Sequence, residues 1–308
     1  MKAVSLLPAA TEIVGALGLF DRLVGVSHEC DFPPGAAFLP RVTHAPIPAA
    51  DLPGAEVDRR VGEMLATEGS LYRLDEARLR ALAPDLILTQ ALCDVCAADY
   101  GSVREFALTL PAPPRVLSLD PSTLEEILGN IREVAGALGF PEKAEPLLTG
   151  MRARVEAVRR GVAESQSRPR CFLLEWTDPI YASGHWGPEL VEIAGGVEVL
   201  GKKGEDSARV PWEAVVDAAP EVIVVACCGF TAERTMREIP ALRGRPGWED
   251  LPAVRSGRVF VADANAYFSR PGPRIADSLE ILAEVLHPEV FAGRFPDRGV
   301  LRLPAVGS

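Results

Sequence analysis

The chain has 308 residues, 48% of them hydrophobic, which is apolar material for two cores of about 130–150 residues each. A net charge of −11 argues against a nucleic-acid partner, which normally calls for a basic patch, and no long block of Lys or Arg occurs. No apolar run approaches the roughly 18 residues of a membrane span, and six cysteines in a chain this long do not resemble the disulfide framework of a small secreted domain.

In chain order, Met1 to Pro8 is too short and lacks the cleavage-type ending for a secretory leader, so residues 2–7 read as a buried strand. With no export signal, the chain as written is expected in the cytoplasm, or in the periplasm if a leader has been removed. A helix from Ala10 to Leu19 and a strand from Leu23 to Ser27 follow. The latter ends in His28-Glu29-Cys30-Asp31-Phe32-Pro33-Pro34, a polar loop leaving a strand's C-terminal end. Residues 43–72 read as an insertion with a helix from about Glu56 to Glu68. A short helix (75–82) leads to a strand (85–89) with the tail Gln90-Ala91-Leu92-Cys93-Asp94-Val95-Cys96. Helix 99–109, strand 115–119 and helix 122–138 complete the first half.

The stretch from Glu145 to Gln166 places Leu147, Leu148, Met151, Val155, Val158 and Val162 on one helical stripe. At 1.5 Å per residue it would run roughly 33 Å. Gly150 and Gly161 each cost it about 1 kcal/mol of intrinsic propensity, so packing must support it. Beyond it, strand 170–175 ends in Trp176-Thr177-Asp178-Pro179-Ile180-Tyr181-Ala182-Ser183-Gly184-His185-Trp186. Helices at 188–195 and 211–218, a strand at 221–226 ending in Cys227-Cys228-Gly229-Phe230, a strand at 258–262 and a helix at 275–286 close the chain.

The two halves read as copies of one unit, with a coincidental pair of Rossmann-type halves as the alternative. Thr11 to Gly18 is matched by Pro188 to Gly196, Ala83-Pro84-Asp85-Leu86-Ile87-Leu88 by Ala219-Pro220-Glu221-Val222-Ile223-Val224, and Arg115-Val116-Leu117 with Asp120 by Arg258-Val259-Phe260 with Asp263. The fold expected is α/β: two Rossmann-like lobes, 1–138 and 168–308, joined by one long helix within 139–167.

Chemistry-bearing residues gather just past strand ends, where open α/β sheets hold ligands. These are His28, Glu29, Cys30, Gln90, Cys93 and Cys96 in the first lobe. In the second they are Trp176, His185, Trp186, Cys228, Phe230, Tyr267, Phe268 and Arg270. If the lobes face one another, these tails line a cleft with flat apolar walls and a few polar groups. Gly184 to Pro188 is turn-rich and expected to be exposed, bringing Trp186 to the surface. Trp212 and Trp248 are expected only to pack, and His44 and His287 to be incidental surface groups. Arg270 could hold an anionic ligand group, whereas Arg274 at a helix start reads as structural.

Cys93-x-x-Cys96 with Cys30 or Cys228 and His28 could supply the soft S/N set that Zn²⁺ or Fe prefers. Inert pocket-lining thiols and a redox pair are the alternatives. Nothing marks an enzyme: there is no Gly-x-Ser-x-Gly elbow, no phosphate loop, no dinucleotide fingerprint and no defensible acid–base pair.

Ser5-Leu6-Leu7-Pro8-Ala9-Ala10-Thr11-Glu12, Val24-Gly25-Val26-Ser27, Pro84-Asp85-Leu86-Ile87-Leu88, Ser183-Gly184, Val210-Pro211-Trp212 and Pro273-Arg274 together resemble the cobalamin-binding solute receptors of ABC importers. These belong to the helical-backbone class of periplasmic binding proteins. The resemblance covers nearly the whole chain and is closest to a subgroup without evident export signals. That subgroup carries His28-Glu29-Cys30-Asp31, Leu92-Cys93-x-Val95-Cys96-Ala97 and Asn265-x-Tyr267-Phe268-Ser269-Arg270-Pro271-Gly272-Pro273-Arg274. It implies two lobes bridged by a rigid helix, little hinge motion, no catalysis and no required cofactor. Cobalamin or a related corrinoid would be the ligand, stacked by Tyr267, Phe268, Trp176 and Trp186 and approached by His28, His185 or a cysteine. An ABC permease would be the partner. The chain departs from the exported receptors at Gln90, where they carry an aromatic, and at Ser269 and near Cys96, where they carry an acid that docks on the permease. A metal-ion receptor or metal-dependent enzyme using the Cys/His residues is the alternative reading.

Overall fold

The structure is a computed structural model that describes residues 1–91 and 100–305. Cys93 and Cys96 lie outside the described residues. The chain divides into two compact units. The first comprises Met1–Ala49, Arg59–Pro121 and Glu125–Gly150; the second comprises Ala50–Asp58, Ser122–Leu124 and Met151–Ser308.

In the first unit, strands β1 (Ala3–Ser5), β2 (Leu23–Val26), β3 (Thr43–His44), β4 (Arg73–Leu74), β5 (Leu86–Thr89) and β6 (Arg115–Ser118) form two sheets. The main sheet runs β2-β1-β5-β6, all parallel, with Ala3 opposite Leu86 and Leu86 opposite Arg115. β5 is buried throughout, as a strand covered on both faces must be. Val4, Ile87, Leu79, Val103 and Phe106 pack one core cluster on it. β3 and β4 pair antiparallel and close the base of the 43–72 insertion, whose helix runs Gly54–Glu68.

The second unit holds β7 (Arg170–Thr177), β8 (Ile180–Ala182), β9 (Val197–Glu198), β10 (Ala208–Arg209), β11 (Val222–Val225), β12 (Val259–Val261) and β13 (Leu301–Arg302). Its sheet runs β10-β8-β7-β11-β12-β13, with β9 also on β7. The parallel run β9-β7-β11-β12 repeats the order β2-β1-β5-β6. The antiparallel strands β8, β10 and β13 are additions to that repeat, in stretches whose sequence predicts no strand. β7 is long enough to share one edge: β9 pairs with its start and β8 with its end.

The repeat extends to individual bonds. Ala83 and Ala219 both end a helix in the left-handed region, at φ 47° and 42°. Asp85 Oδ2 then accepts Lys2 N–H at 2.7 Å, and Glu221 Oε2 accepts Arg170 N–H at 2.8 Å. In each half the acid before the third parallel strand, β5 or β11, fastens the start of the first, β1 or β7.

The long helix spans Ala144–Val162, ending with the last residue of its apolar stripe and about one turn short of Gln166. Glu164 and Ser165 donate backbone N–H groups to Gly161 and Val162, tightening the chain out of the α form. Gly161 has a packing reason: a Cβ there would stand 2.5 Å from the Phe291 ring. His44 is exposed, but His287 corrects the expectation of a surface group, being 0% exposed. It caps the Ile275–Leu286 helix and fits because Gly195 has no side chain; a Cβ there would lie 2.6 Å from His287 Nε2.

Candidate functional site

The C-terminal ends of β7, β11 and β12 are knitted together by backbone bonds. Ala226 and Cys228 donate N–H groups to Leu174 O and Glu175 O at 2.9 and 3.0 Å, and Asn265 N–H reaches Phe230 O at 3.0 Å. Gly229 N–H reaches Ser269 Oγ at 3.2 Å. These bonds fix one surface that carries Trp176, Cys228, Phe230, Tyr267 and Phe268. The tail of β12 is a single π-turn, Ala264–Phe268, whose start is capped by Asp263 accepting Ala266 N–H at 2.6 Å.

The aromatic residues take two roles. Trp176 is half-buried and backed by Phe230, with ring centroids 4.9 Å apart. Phe230 is buried and rests on the Arg234 guanidinium, 4.1 Å from its centroid. Tyr267 is half-buried with Arg274 beside its ring at 5.6 Å, and burial raises its hydroxyl's pKa, keeping it neutral. Trp186 corrects the expectation of exposure. It is 9% exposed, because its indole N–H turns inward to Phe268 O at 3.1 Å. Phe268 is itself buried. Trp176 and Tyr267 are therefore accessible, while Phe230, Trp186 and Phe268 support the surface from beneath. Arg270 is 3% exposed and donates to Asn265 Oδ1 at 2.8 Å, which makes it a brace of the tail.

Polar groups border this surface. Burial pushes the Glu175 carboxyl upward, against hydrogen bonds from Ser207 and Ser183; Ser207 Oγ–H donates to Oε2 at 2.5 Å. His185 sits at φ 50°, where a non-glycine residue is strained. Its N–H on Glu205 O at 2.6 Å holds it there, and its Nε2 lies 3.2 Å from Asp206 Oδ1.

In the first unit the candidates are engaged locally. His28 Nδ1 is 2.7 Å from Thr43 Oγ1, its Nε2 is 3.1 Å from Glu29 Oε1, and its ring lies 5.0 Å from that of Tyr72. Cys30 is 0% exposed, with Thr11 Oγ1 at 3.0 Å and Ser27 Oγ at 3.4 Å. Its thiol thus faces hydroxyls in the interior. Gln90 is buried. Among the described residues no three His, Cys, Asp or Glu side chains converge as a metal-ion set. Trp212 and Trp248 are buried with centroids 6.2 Å apart, and Trp212 N–H donates to Pro246 O at 2.7 Å. Two cavities of about 280 and 350 Å³, one beside Arg243 and Trp248 and one beside Tyr100 and Arg104, are lined by none of the candidate residues.

Sequence reasoning missed the groups that hold Trp176. Its indole N–H donates to Gly54 O at 3.3 Å, and Gly54 N–H is taken by both oxygens of Glu238 at 3.1 and 3.2 Å. No sequence signal links positions so far apart.

Comparison with known proteins agrees in one direction. The family described as Periplasmic binding protein matches residues 4–266. The vitamin B12-binding protein of Vibrio cholerae serotype O1 (strain O395) is 27% identical over 282 residues, 91% of this chain and 86% of that protein. Among solved structures, the periplasmic vitamin B12 binding protein BtuF of Vibrio cholerae superposes with a TM-score of 0.68 at 25% identity, covering 93% of this chain and 96% of that one. The periplasmic heme-binding protein RhuT of Roseiflexus sp. RS-1 superposes at 0.71 with 23% identity, covering 94% and 98%.

Proposed function

This chain belongs to the periplasmic binding protein family, and from that membership we propose that it is a receptor for cobalamin or a closely related corrinoid. Members of the family are solute-binding transport components that catalyse no reaction. The observation that carries the ligand is the accessible indole of Trp176, packed at a 46° tilt against Phe230 and held by its own N–H. A corrin offers a broad apolar face with a polar amide rim, and a rigid aromatic wall bordered by polar groups complements both. Tyr267 extends the wall, and His185, Glu175 and Cys228 border it. Both ring nitrogens of His28 face partners, Thr43 and Glu29, whereas His185 is engaged among the described residues through Nε2 alone, on Asp206, which makes His185 the candidate for the polar edge. The vitamin B12-binding relative supports a corrinoid ahead of haem, since the heme-binding neighbour at 23% identity speaks for the fold alone.

An ABC permease is the proposed partner and an extracytoplasmic station the proposed location. No helix among the described residues is long and apolar enough to cross a membrane. Cell fractionation and co-purification from membranes test these two points.

Calorimetric titration of purified, metal-analysed protein with cyanocobalamin tests the ligand, with tryptophan quenching followed in parallel. Saturable one-to-one binding is expected, and haemin should compete poorly. Silence towards cyanocobalamin with saturable haemin binding would overturn the corrinoid reading. Silence towards both, with stoichiometric zinc or iron in the untagged protein, would replace it with the metal-ion reading.

A further inference from the structure

The 43–72 insertion is a departure from the repeat, and Ala50–Asp58 within it counts with the second unit. The polar anchors of this segment reach residues near the aromatic wall. Arg234 Nη2 donates to Leu52 O at 2.5 Å and Nη1 to Glu238 Oε1 at 2.6 Å. Glu238 in turn accepts Gly54 N–H with both oxygens, so a carboxylate 184 residues away caps the helix that starts at Gly54. Placing a negative group at a helix N-terminus is favourable in itself. The side chains of Arg234 and Glu238 are only 10% and 9% exposed, so each depends on the other to be buried as a charge.

Four residues on, Asp58 accepts two N–H groups from one Arg209 nitrogen, at 3.0 and 2.9 Å, and the Tyr181 hydroxyl at 3.4 Å. Arg209 Nε donates to that same hydroxyl at 2.7 Å. Between these anchors Gly54 stands at the N–H edge of the indole. A Cβ there would stand 2.9 Å from Glu238 Oε2, 3.3 Å from its Cδ and 3.6 Å from Trp176 Cε2. Only a glycine lets the backbone come this close while Glu238 keeps its bonds.

We propose that residues 52–58 are a strap that forms part of the ligand site: it orients Trp176 through Gly54 O, with Glu238 and Arg234 as positioning residues. This rests on the reading that Trp176 contacts the ligand. An indole held by its N–H favours one rotamer, the net preference from such a bond being several-fold, so its accessible face is presented mainly in one orientation and binding has less ordering to supply. The strap also withholds the indole's polar edge, leaving ligand only the apolar face. Glu238 and Arg234 act one layer behind the ligand.

The test is a double-mutant cycle of Glu238→Ala and Trp176→Phe, read by cyanocobalamin affinity and by hydrogen exchange at 52–58. Glu238→Ala is expected to speed exchange in the strap and weaken binding about tenfold, the loss of one buried, charge-assisted support. In the Trp176→Phe background, which has no N–H to hold, Glu238→Ala should cost almost nothing further. Glu238→Gln, which keeps an acceptor for Gly54 N–H, should recover part of the affinity. Additive losses, or fast strap exchange with unchanged affinity, would overturn the proposal. If the wild type takes no cyanocobalamin, the corrinoid reading fails by itself, and the strap is judged by the emission of Trp176 alone. That signal is the spectrum of each protein minus its Trp176→Phe partner. It must shift to the red in Glu238→Ala, and an unchanged difference spectrum overturns the strap.

Discussion

Gly54 O accepts the indole N–H of Trp176 at 3.3 Å across 122 residues of chain. A bond between a glycine carbonyl and a tryptophan edge settles which part of the ring remains for anything else. Tyr267, also accessible, leans on Arg274 instead. Trp176 is thus the member of the wall held by a hydrogen bond and Tyr267 the one held against a guanidinium. Replacing Trp176 with Ala is expected to weaken cyanocobalamin binding by about 30-fold or more, the loss of a central aromatic anchor. Tyr267→Ala should cost less, and Trp212→Phe, a buried indole on Pro246 O, should leave the affinity unchanged. Parallel titrations of the three variants give the ranking.

Two glycines in one helix should respond in opposite ways. Gly150 is exposed, and a methyl added there would meet nothing within 4 Å, whereas the same methyl at Gly161 would enter the Phe291 ring. Gly150→Ala should stabilise by about 0.5–1 kcal/mol through helix propensity. Gly161→Ala should destabilise by about 1–3 kcal/mol through overpacking. Urea unfolding of the two single variants decides it.

Stability should fall as pH rises through the weakly acidic range. Burial pushes the Glu198 carboxyl up to about 7, even though Leu173, Val199, Leu200 and Gly201 donate backbone N–H groups to it. An unfolded glutamate titrates near ~4.3. Below that value both states hold the proton and the group's contribution is complete. Between there and about 7 the unfolded chain ionises first, so the contribution is lost progressively and then levels off. Burial raises Glu175 as well, with the same sign. Urea midpoints should be higher at about pH 5 than at about pH 8, and Glu198→Gln should flatten that difference.

Thiol labelling should be selective. Cys228 is exposed, while Cys30, Cys171 and Cys227 are buried, and burial raises the thiol pKa of Cys171 and Cys227 well above its ordinary value. Since the thiolate is the reactive form, among the four described cysteines a maleimide should modify Cys228 in the native protein, and Cys30, Cys171 and Cys227 only after unfolding. Peptide mapping by mass spectrometry identifies the sites. Bound cyanocobalamin is expected to slow modification of Cys228, which stands beside Trp176 through its N–H on Glu175 O.

The repeat was legible because its signal is local. Ala-Pro-Asp and Ala-Pro-Glu each announce a helix end and a strand start, and the structure places Ala83 and Ala219 in the same left-handed turn. Helix 275–286 could be read to the residue, since its apolar face and flanking prolines are unambiguous. Long-range choices were not legible. Gly184 to Pro188 has the composition of an exposed turn, yet Trp186 tucks beneath Phe268 to satisfy its indole. The insertion could be seen as an insertion, but not that Glu238 would cap its helix. Periodicity reports which face is buried; it carries no address for a hydrogen-bond partner elsewhere in the chain.

The last strand has a consequence for behaviour in concentrated solution. β13 pairs antiparallel with β12 through Phe260 opposite Arg302 and Val261 opposite Leu301, and Arg302 Nε reaches Gly257 O at 2.6 Å. Two residues of tail are enough to occupy the outer row of amides on a parallel sheet. A protease cut before Leu301 would bare that row, and an uncovered edge is a template for sheet growth from one molecule to the next. The tail therefore works as insulation: besides burying Leu303, it keeps each molecule's sheet from recruiting a neighbour's.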